Sequence, residues 1–473
     1  MLTRLEVKGF KNLLDVSIDF GPFTCIAGAN GMGKSNVFDA IEFLSHLASD
    51  TLVEASQRIR GASGVRGSDP RDLFWNGYRT QQRKITLAAE MIVPAEVEDD
   101  LGADARATTT FLRYEVELGF LPPTGQGSVG RLSLLTEELR HIRRGEATKH
   151  LRFPHIAPSF KSAVVRGERR GAFLSTEHLE AGTVIHVHPD GESSGRPQPV
   201  AAGRAARTVL STVTTNDYPT ILAVRREMQS WRRLALEPSA LRAPDGFADP
   251  RTLAQDGRHL ASTLYRIAHE VADGEESDPE AVYARVAGRL SDLAGIRVEG
   301  LEVELDQVRE VFTLFLHEKG NLRLPARALS EGTLRFLALC VLLEDPTFTG
   351  LICMEEPENG IHPANLPAMV GLVQDLAIDP GYEPDETNPF RQVIVNTHSP
   401  GVVQLCRQSD LLLAESRPSK TPSGRITHAL SLVPFRGSWR AETARSTFSE
   451  ADVVAYLAAP PGAQTRLPLE LAG

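Results

Sequence analysis

Apolar and polar positions alternate from the start of the chain. Leu5, Val7 and Phe10, then Val16, Ile18 and Phe20, form two runs split by Lys11-Asn12, which predicts a strand pair. Phe23–Ala27 reads as a short buried strand, and Val37, Ile41, Leu44 and Ala48 then recur at helical spacing. A stretch from Gly61 to Asn76, dominated by glycines and charges, reads as a loop. Leu87, Ala89, Met91 and Val93 alternate, as do Leu112, Tyr114, Val116 and Leu118, so two half-buried antiparallel strands follow. Amphipathic helices are expected over Leu260–Val271 and from Pro279 onward. Strands are expected near Leu301–Leu305, Val311–Leu316, Leu351–Met354 and Gln392–Val395, with an apolar helix over Leu334–Leu343. Asp410–Leu413 and Ile426–Leu432 read as a closing strand pair, and the Pro/Ala-rich tail after Ala458 as disordered. Interleaved strands and helices predict an α/β fold. The pattern shows no internal repeat and no long heptad run.

Two sets of residues carry chemistry on this frame. Gly28-Ala29-Asn30-Gly31-Met32-Gly33-Lys34-Ser35 fits G-x-x-x-x-G-K-[ST] and sits between a strand and a helix, the context such a loop requires. Gly31 and Gly33 let the backbone wrap phosphates with its N–H groups inward, Lys34 supplies a charge, and Ser35 offers a hydroxyl to Mg²⁺. Asn30, Gly31, Gly33, Lys34, Ser35 and Asn36 are therefore the expected ATP-binding residues. The second set lies far downstream. Leu351–Met354 runs into Glu355-Glu356-Pro357-Glu358-Asn359-Gly360, a strand delivering carboxylates at its tip. One of them, Glu355, suits the Mg²⁺ shell, and the next, Glu356, suits activation of the attacking water. Gln392–Val395 ends in Asn396-Thr397-His398, placing an imidazole at another strand tip. Ser330-Glu331-Gly332-Thr333 opens an apolar helix and offers a second anion site. Each of these has a bland reading as surface charge, turn or cap; their order and spacing together do not.

Charge and composition narrow the class. The chain has 473 residues with 41% hydrophobic and 24% charged content, ordinary for a globular protein of more than one core. It has no apolar run near 18 residues and no charged-then-apolar leader, so neither a membrane span nor a secretory signal is expected, and the cytoplasm is the expected compartment. Cys25, Cys340, Cys353 and Cys406 are widely spaced, as for reduced cysteines, and the first three sit in apolar runs. Net charge is −10, yet residues 131–170 hold ten Lys/Arg against four acids. Arg140, Arg143 and Arg144 are candidate nucleic-acid contacts, with a solvated helix face as the competing reading. Arg225-Arg226 and Arg232-Arg233 are possible extensions of that patch, with Trp231 read as a packing residue. His186 and His188 alternate on one strand face without a third ligand, so no metal site is assigned to them.

The motif order resembles the ABC-type ATPase head of SMC, RecF-like and OLD-family proteins. The wording is most similar to stand-alone OLD-like AAA-type ATPases in Ser330–Phe336, Glu355–Pro363 and Asn396–Pro400. The resemblance implies a mixed sheet flanked by helices, an antiparallel β subdomain, and a largely helical insertion between the Walker A loop and the signature. It implies segments 1–125 and 295–435 as the two parts of the head, 126–294 as a basic insertion, and 436–473 as a tail. Carried over, Lys34 and Ser35 match Walker A, and Ser330, Glu331, Gly332 and Thr333 the signature acting in trans. Glu355-Glu356 matches the Walker B end, Asn359-Gly360 the D-loop, and His398 the switch histidine. Glu356 and His398 are the implied catalytic pair, ATP and Mg²⁺ the implied cofactors, and a head-to-head homodimer the implied assembly. Two features depart from the pattern. Glu355 replaces the usual aspartate, implying looser metal coordination and slower turnover, and only residues 399–473 follow the switch histidine, too few for a TOPRIM nuclease domain. The expected function is thus an ATPase that controls a nucleic-acid-directed complex, as the ATPase subunit of an anti-phage system with a separate nuclease or toxin. A RecF/SMC-like repair ATPase that binds DNA, and a nucleotide-sensing scaffold with negligible hydrolysis, are the alternatives. The long separation of Lys34 from Ser330 argues against a transporter motor.

Overall fold

The computed structural model describes residues 1–59, 69–75, 84–123, 130–156, 159–180, 182–191, 196–270, 278–294, 298–320, 322–421 and 424–458. The expected tail after Ala458, residues 61–68 and 76 of the expected loop, and Val271 of the expected helix lie outside them. The chain forms two compact units. The first holds Met1–Arg232, Pro380–Pro384 and Gln408–Gly473, and the second Arg233–Asp379 and Asp385–Arg407.

In the first unit the opening alternation becomes the antiparallel pair Leu2–Phe10 and Leu13–Asp19, in which Leu5 faces Ile18 and Val7 faces Val16. Leu5, Val7, Val16 and Ile18 are buried while Lys8, Asp15 and Ser17 are exposed, so the period-2 pattern sorts one face into the core. Lys84–Ile92 and Phe111–Leu121 extend the same sheet, as their alternation predicts.

The sheet does not stop there. Arg131–His141, Leu174–Leu179, Gly182–Val187 and Gln198–Ala201 continue it as further antiparallel strands, to eight in all. The stretch expected to be largely helical therefore divides: strands occupy its first part, and its longer helices come only from Pro219 onward, at Pro219–Gln229, Leu260–His269 and Pro279–Ala294. A register shift opposite Glu117/Leu118 explains why the strand Arg131–His141 is hidden in the sequence. Its buried positions run Leu132, Leu134, then Glu137 and Leu139, so the alternation skips a step and a glutamate occupies a core place. The carboxylate of Glu137 accepts hydrogen bonds from the Val209 and Leu210 N–H groups at 2.7 and 2.9 Å and from the Tyr114 hydroxyl at 3.0 Å. Burial nonetheless pushes its pKa up to about 7, despite these donors.

Phe23–Ala27 is buried throughout, runs parallel to the start of Leu411–Lys420, and that strand pairs antiparallel with Ile426–Pro434, the expected closing pair. In the second unit, Gly350–Glu355 and Arg391–Thr397 are neighbouring parallel strands, buried on both faces apart from their tips. Val298–Asp306, Val311–Glu318, Leu322–Pro325 and Asp245–Gly246 form a separate antiparallel sheet. Helix Glu331–Glu344 is buried along its length after the first turn, and helix Pro279–Ala294 lies on it with Arg285 and Arg289 paired to Glu344. All four cysteines are free and buried. No helix among the described residues is long and apolar enough to cross a membrane.

Candidate functional site

The first unit holds the glycine-rich loop that the motif assigns to phosphate binding. Strand Phe23–Ala27 leads into Gly28, and helix Ser35–Leu47 starts directly after Lys34, anchored by buried Val37, Phe38, Ile41, Leu44 and Leu47. Gly31 and Gly33 adopt φ of +80° and +90°, the left-handed region that side chains disfavour. At Gly33 the space is also closed, because a Cβ there would lie 2.0 Å from Asn12 Nδ2. Lys34 is only 6% exposed, and its Nζ donates to the Gly28 and Ala29 carbonyls at 2.6 and 3.0 Å. The loop thus curls its cation back on its own backbone. Asn30 and Gly31 are exposed, and Ser35 and Asn36 half-buried at the helix start.

A residue that the motif does not contain braces this loop. Asn12 donates from Nδ2 to the Met32 carbonyl at 3.0 Å and accepts from Asn36 Nδ2 at 2.6 Å, while its own carbonyl accepts from Leu430 N–H at 2.9 Å. Beside it Lys11, at φ +47°, places Nζ 2.7 Å from the fully buried Asp39 carboxylate on the loop's helix. In sequence both appear only as the break between two alternating runs.

The second unit supplies carboxylates and an imidazole. The parallel register puts Glu355 opposite Asn396, so both strands end together and release Glu356 and His398 at the same edge. This is the edge at which open parallel sheets present ligand sites. Glu356 sits at φ +46°, a strained place for a glutamate, held by its N–H on the Asn396 carbonyl at 2.9 Å. Its Oε1 lies 2.7 Å from His398 Nδ1, and its Oε2 accepts from Asn359 Nδ2 at 2.9 Å. Glu358 is buried, accepts from the Thr397 hydroxyl, and burial raises its pKa. Glu355 Oε2 is 2.9 Å from the Arg233 guanidinium, while its Oε1 is buried with no partner among the described residues.

Next to these, Ser330 caps helix Glu331–Glu344: its Oγ accepts from Thr333 N–H at 3.1 Å and lies 2.8 Å from the Thr333 hydroxyl. Arg242 donates to the Leu329 carbonyl at 3.3 Å and steadies the approach to that cap. Gly360, at φ +77°, packs so closely on the helix that a Cβ would come 3.2 Å from Arg335 Nη1, and a Cβ at Gly332 would lie 3.5 Å from the Gly360 carbonyl. The segments expected as signature and D-loop thus abut, with Glu331 exposed at the surface. Within its own unit each part brings an oxygen donor suited to a hard divalent cation, the Ser35 hydroxyl in one and the buried Glu355 Oε1, with no partner among the described residues, in the other.

The candidate nucleic-acid residues are less uniform. Arg143 and Arg144 are exposed in the turn after Arg131–His141, and Arg140 is exposed on that strand but paired with Glu138. The patch therefore stands on a strand and turn, not on a helix face. Its suggested extensions point elsewhere. Arg225 is buried on Asp100 and the Ala48 carbonyl, Arg226 pairs with Asp100, Arg233 with Glu355, and Trp231 is a packing residue at 2% exposure. His186 pairs with Glu177 and His188 with Ser175.

Two family models match the chain. One, described as an AAA ATPase domain, matches residues 1–115, and the other, described as an AAA domain, putative AbiEii toxin, Type IV TA system, matches residues 189–404. Among curated proteins, the chain is 41% identical over 61 residues to the DNA replication and repair protein RecF of Phocaeicola vulgatus, covering 13% of this chain and 16% of that protein. It is 46% identical over 44 residues to the OLD nuclease of Thermus scotoductus, covering 9% of this chain and 8% of that one. The chain thus spans about a sixth or less of these relatives' length. Among solved structures, an SMC head bound to the C-winged helix domain of ScpA aligns over 92% of this chain and 98% of its own at 14% identity and TM-score 0.43. The SMC head domain from Thermotoga maritima aligns over 92% and 99% at 14% identity and TM-score 0.36.

Proposed function

We infer that this chain, which is similar in part to RecF and OLD nuclease and matches AAA ATPase domain models, binds ATP with Mg²⁺ at Gly28–Ser35 and hydrolyses it with Glu356 as general base. The observation that carries the catalytic part is the contact between Glu356 and His398 at the common edge of two buried parallel strands. Lys34 leaves the Gly28 and Ala29 carbonyls for the outer phosphates, exchanging two neutral acceptors for charged ones. Bound Mg²⁺ would neutralise phosphate charge, with the Ser35 hydroxyl and Glu355 as its protein ligands. Glu356 takes a proton from the attacking water, and His398 keeps the carboxylate aimed. Because Asn359 and His398 occupy both of its oxygens, this base is capped until one of them moves.

Two heads share the work in this reading. Ser330, Glu331, Gly332 and Thr333 of one copy close over the nucleotide of another, which makes ATP the glue of a homodimer. The dimer controls a nucleic-acid-directed complex, as the ATPase subunit of an anti-phage system that acts through a separate nuclease or toxin. The AbiEii-toxin description of the model over residues 189–404 supports the defence role. The likeness to RecF supports a second reading, a DNA repair ATPase that uses Arg140, Arg143 and Arg144 on the phosphate backbone. Purification with the products of neighbouring genes separates the two. Retention of an effector protein supports defence, whereas ATP-dependent DNA binding without any effector, with a steep loss of affinity in salt, supports repair. A chain that neither dimerises with ATP nor retains an effector or DNA contradicts both.

A further inference from the structure

Arg233 belongs to none of the motifs, yet it reaches the Walker B carboxylate. It lies in the short strand Arg232–Leu234 and places Nη2 2.9 Å from Glu355 Oε2, with 25% and 30% of the two side chains exposed. The second oxygen, Oε1, is buried and has no partner among the described residues. The carboxylate is therefore divided: one oxygen answers a fixed cation and the other faces inward. An aspartate at 355, one methylene shorter, would hold its carboxylate further from Arg233 on the same backbone, so the unusual glutamate and the arginine make sense as a pair. A space of about 160 Å³ lies beside them, bordered by Leu236, Glu355, Glu356 and Asn359, enough for an ion that keeps several waters.

The geometry points to Arg233 as a specificity-determining residue of the metal site, admitting the divalent ion only together with the nucleotide's phosphates. This rests on Glu355 being a metal ligand, as proposed above. A divalent ion held by Oε1 would share its carboxylate with the guanidinium on Oε2, and like charges that close repel appreciably in a partly desolvated site. Without nucleotide that repulsion, added to the charge already satisfied on Oε2, opposes metal entry. With nucleotide, the phosphate charges offset it. Arg233 thus acts on the metal through Glu355 and touches no reacting atom.

The test is Mn²⁺ binding followed by electron paramagnetic resonance, on nucleotide-free protein and with a non-hydrolysable ATP analogue. Without nucleotide, Arg233→Met and Arg233→Gln are expected to bind Mn²⁺ about 10-fold more tightly than wild type. Arg233→Lys, which keeps the charge, is expected to stay within about twofold of wild type. The gain must vanish in Arg233→Met/Glu355→Gln, which assigns it to the Walker B oxygen. An unchanged affinity in both neutral variants, or a gain that survives Glu355→Gln, overturns the inference while leaving the ATPase reading intact, provided nucleotide-loaded wild type takes Mn²⁺. Wild type that takes no Mn²⁺ even with the analogue overturns the reading of Glu355 and the inference with it.

Discussion

Single side chains set the chemistry. In the proposed site Lys34 exchanges two carbonyl contacts within its own loop for charged phosphate oxygens, so Lys34→Ala should lose a charge-assisted contact worth about 3 kcal/mol. Nucleotide affinity by titration calorimetry should fall roughly 100-fold or more. Glu356→Gln is isosteric and removes only the proton acceptor. It should bind nucleotide like wild type and lose about 10²–10⁴-fold in steady-state hydrolysis. Equal background rates in wild type and Glu356→Gln would instead favour a nucleotide-sensing scaffold. Asn12 shows what motif reading leaves out. It bonds Met32 and Asn36 and fills the space a side chain at Gly33 would need. Asn12→Ala loses about 2 kcal/mol of loop bracing, so nucleotide affinity should drop about 30-fold with the circular dichroism spectrum unchanged. The loop's own glycines and lysine are legible because phosphate binding demands those residue types in that spacing. Asn12, Arg233 and Arg242 are not, because each acts on a residue distant in sequence and no local pattern marks it.

At the scale of elements, strand tips and helix starts place the chemistry, and the elements differ in legibility. Leu351–Met354 and Val393–Val395 are continuous apolar runs that lead into polar residues, which is why both strands and their cargo are readable. Arg131–His141 is not, since its register shift breaks the alternation and Glu137 occupies a core position. That glutamate makes stability depend on pH. Its pKa is about 7 folded against an ordinary 4.5, so between those values the folded state holds the extra proton. Stability is then greatest below about pH 4.5 for this group and is lost as pH rises through 7, by up to about 1.4 kcal/mol per pH unit. Thermal melting from pH 5 to 7.5 should show that downward contribution. Glu137→Gln should flatten it, while lowering the melting temperature throughout because an amide NH₂ would face the Val209 or Leu210 N–H. The signature helix allows a different check. Ser330 caps its own helix start, and in the proposed dimer it serves the partner's nucleotide. Ser330→Arg should therefore slow hydrolysis at least about 10-fold while leaving single-head nucleotide affinity within about twofold, measured by turnover and calorimetry side by side.

For the molecule as a whole, the resemblance to ABC-type ATPase heads rests on three short segments, whose order is specific. The sheet-rich first part of the middle stretch was not legible, since strands that join a distant sheet edge are fixed by partners far along the chain. The basic patch lies in that stretch, on a strand and turn whose exposed Arg143 and Arg144 remain available to a phosphate backbone. The central claim is that ATP, held by the loop and left unhydrolysed, joins two copies of this chain. Sedimentation velocity of Glu356→Gln with and without Mg²⁺–ATP tests it most directly, with Lys34→Ala as the comparison. Expected are a monomer without ATP, a stable dimer with it, and a Lys34→Ala variant that stays monomeric in both. A Glu356→Gln variant that binds ATP yet sediments identically with and without it would contradict the account.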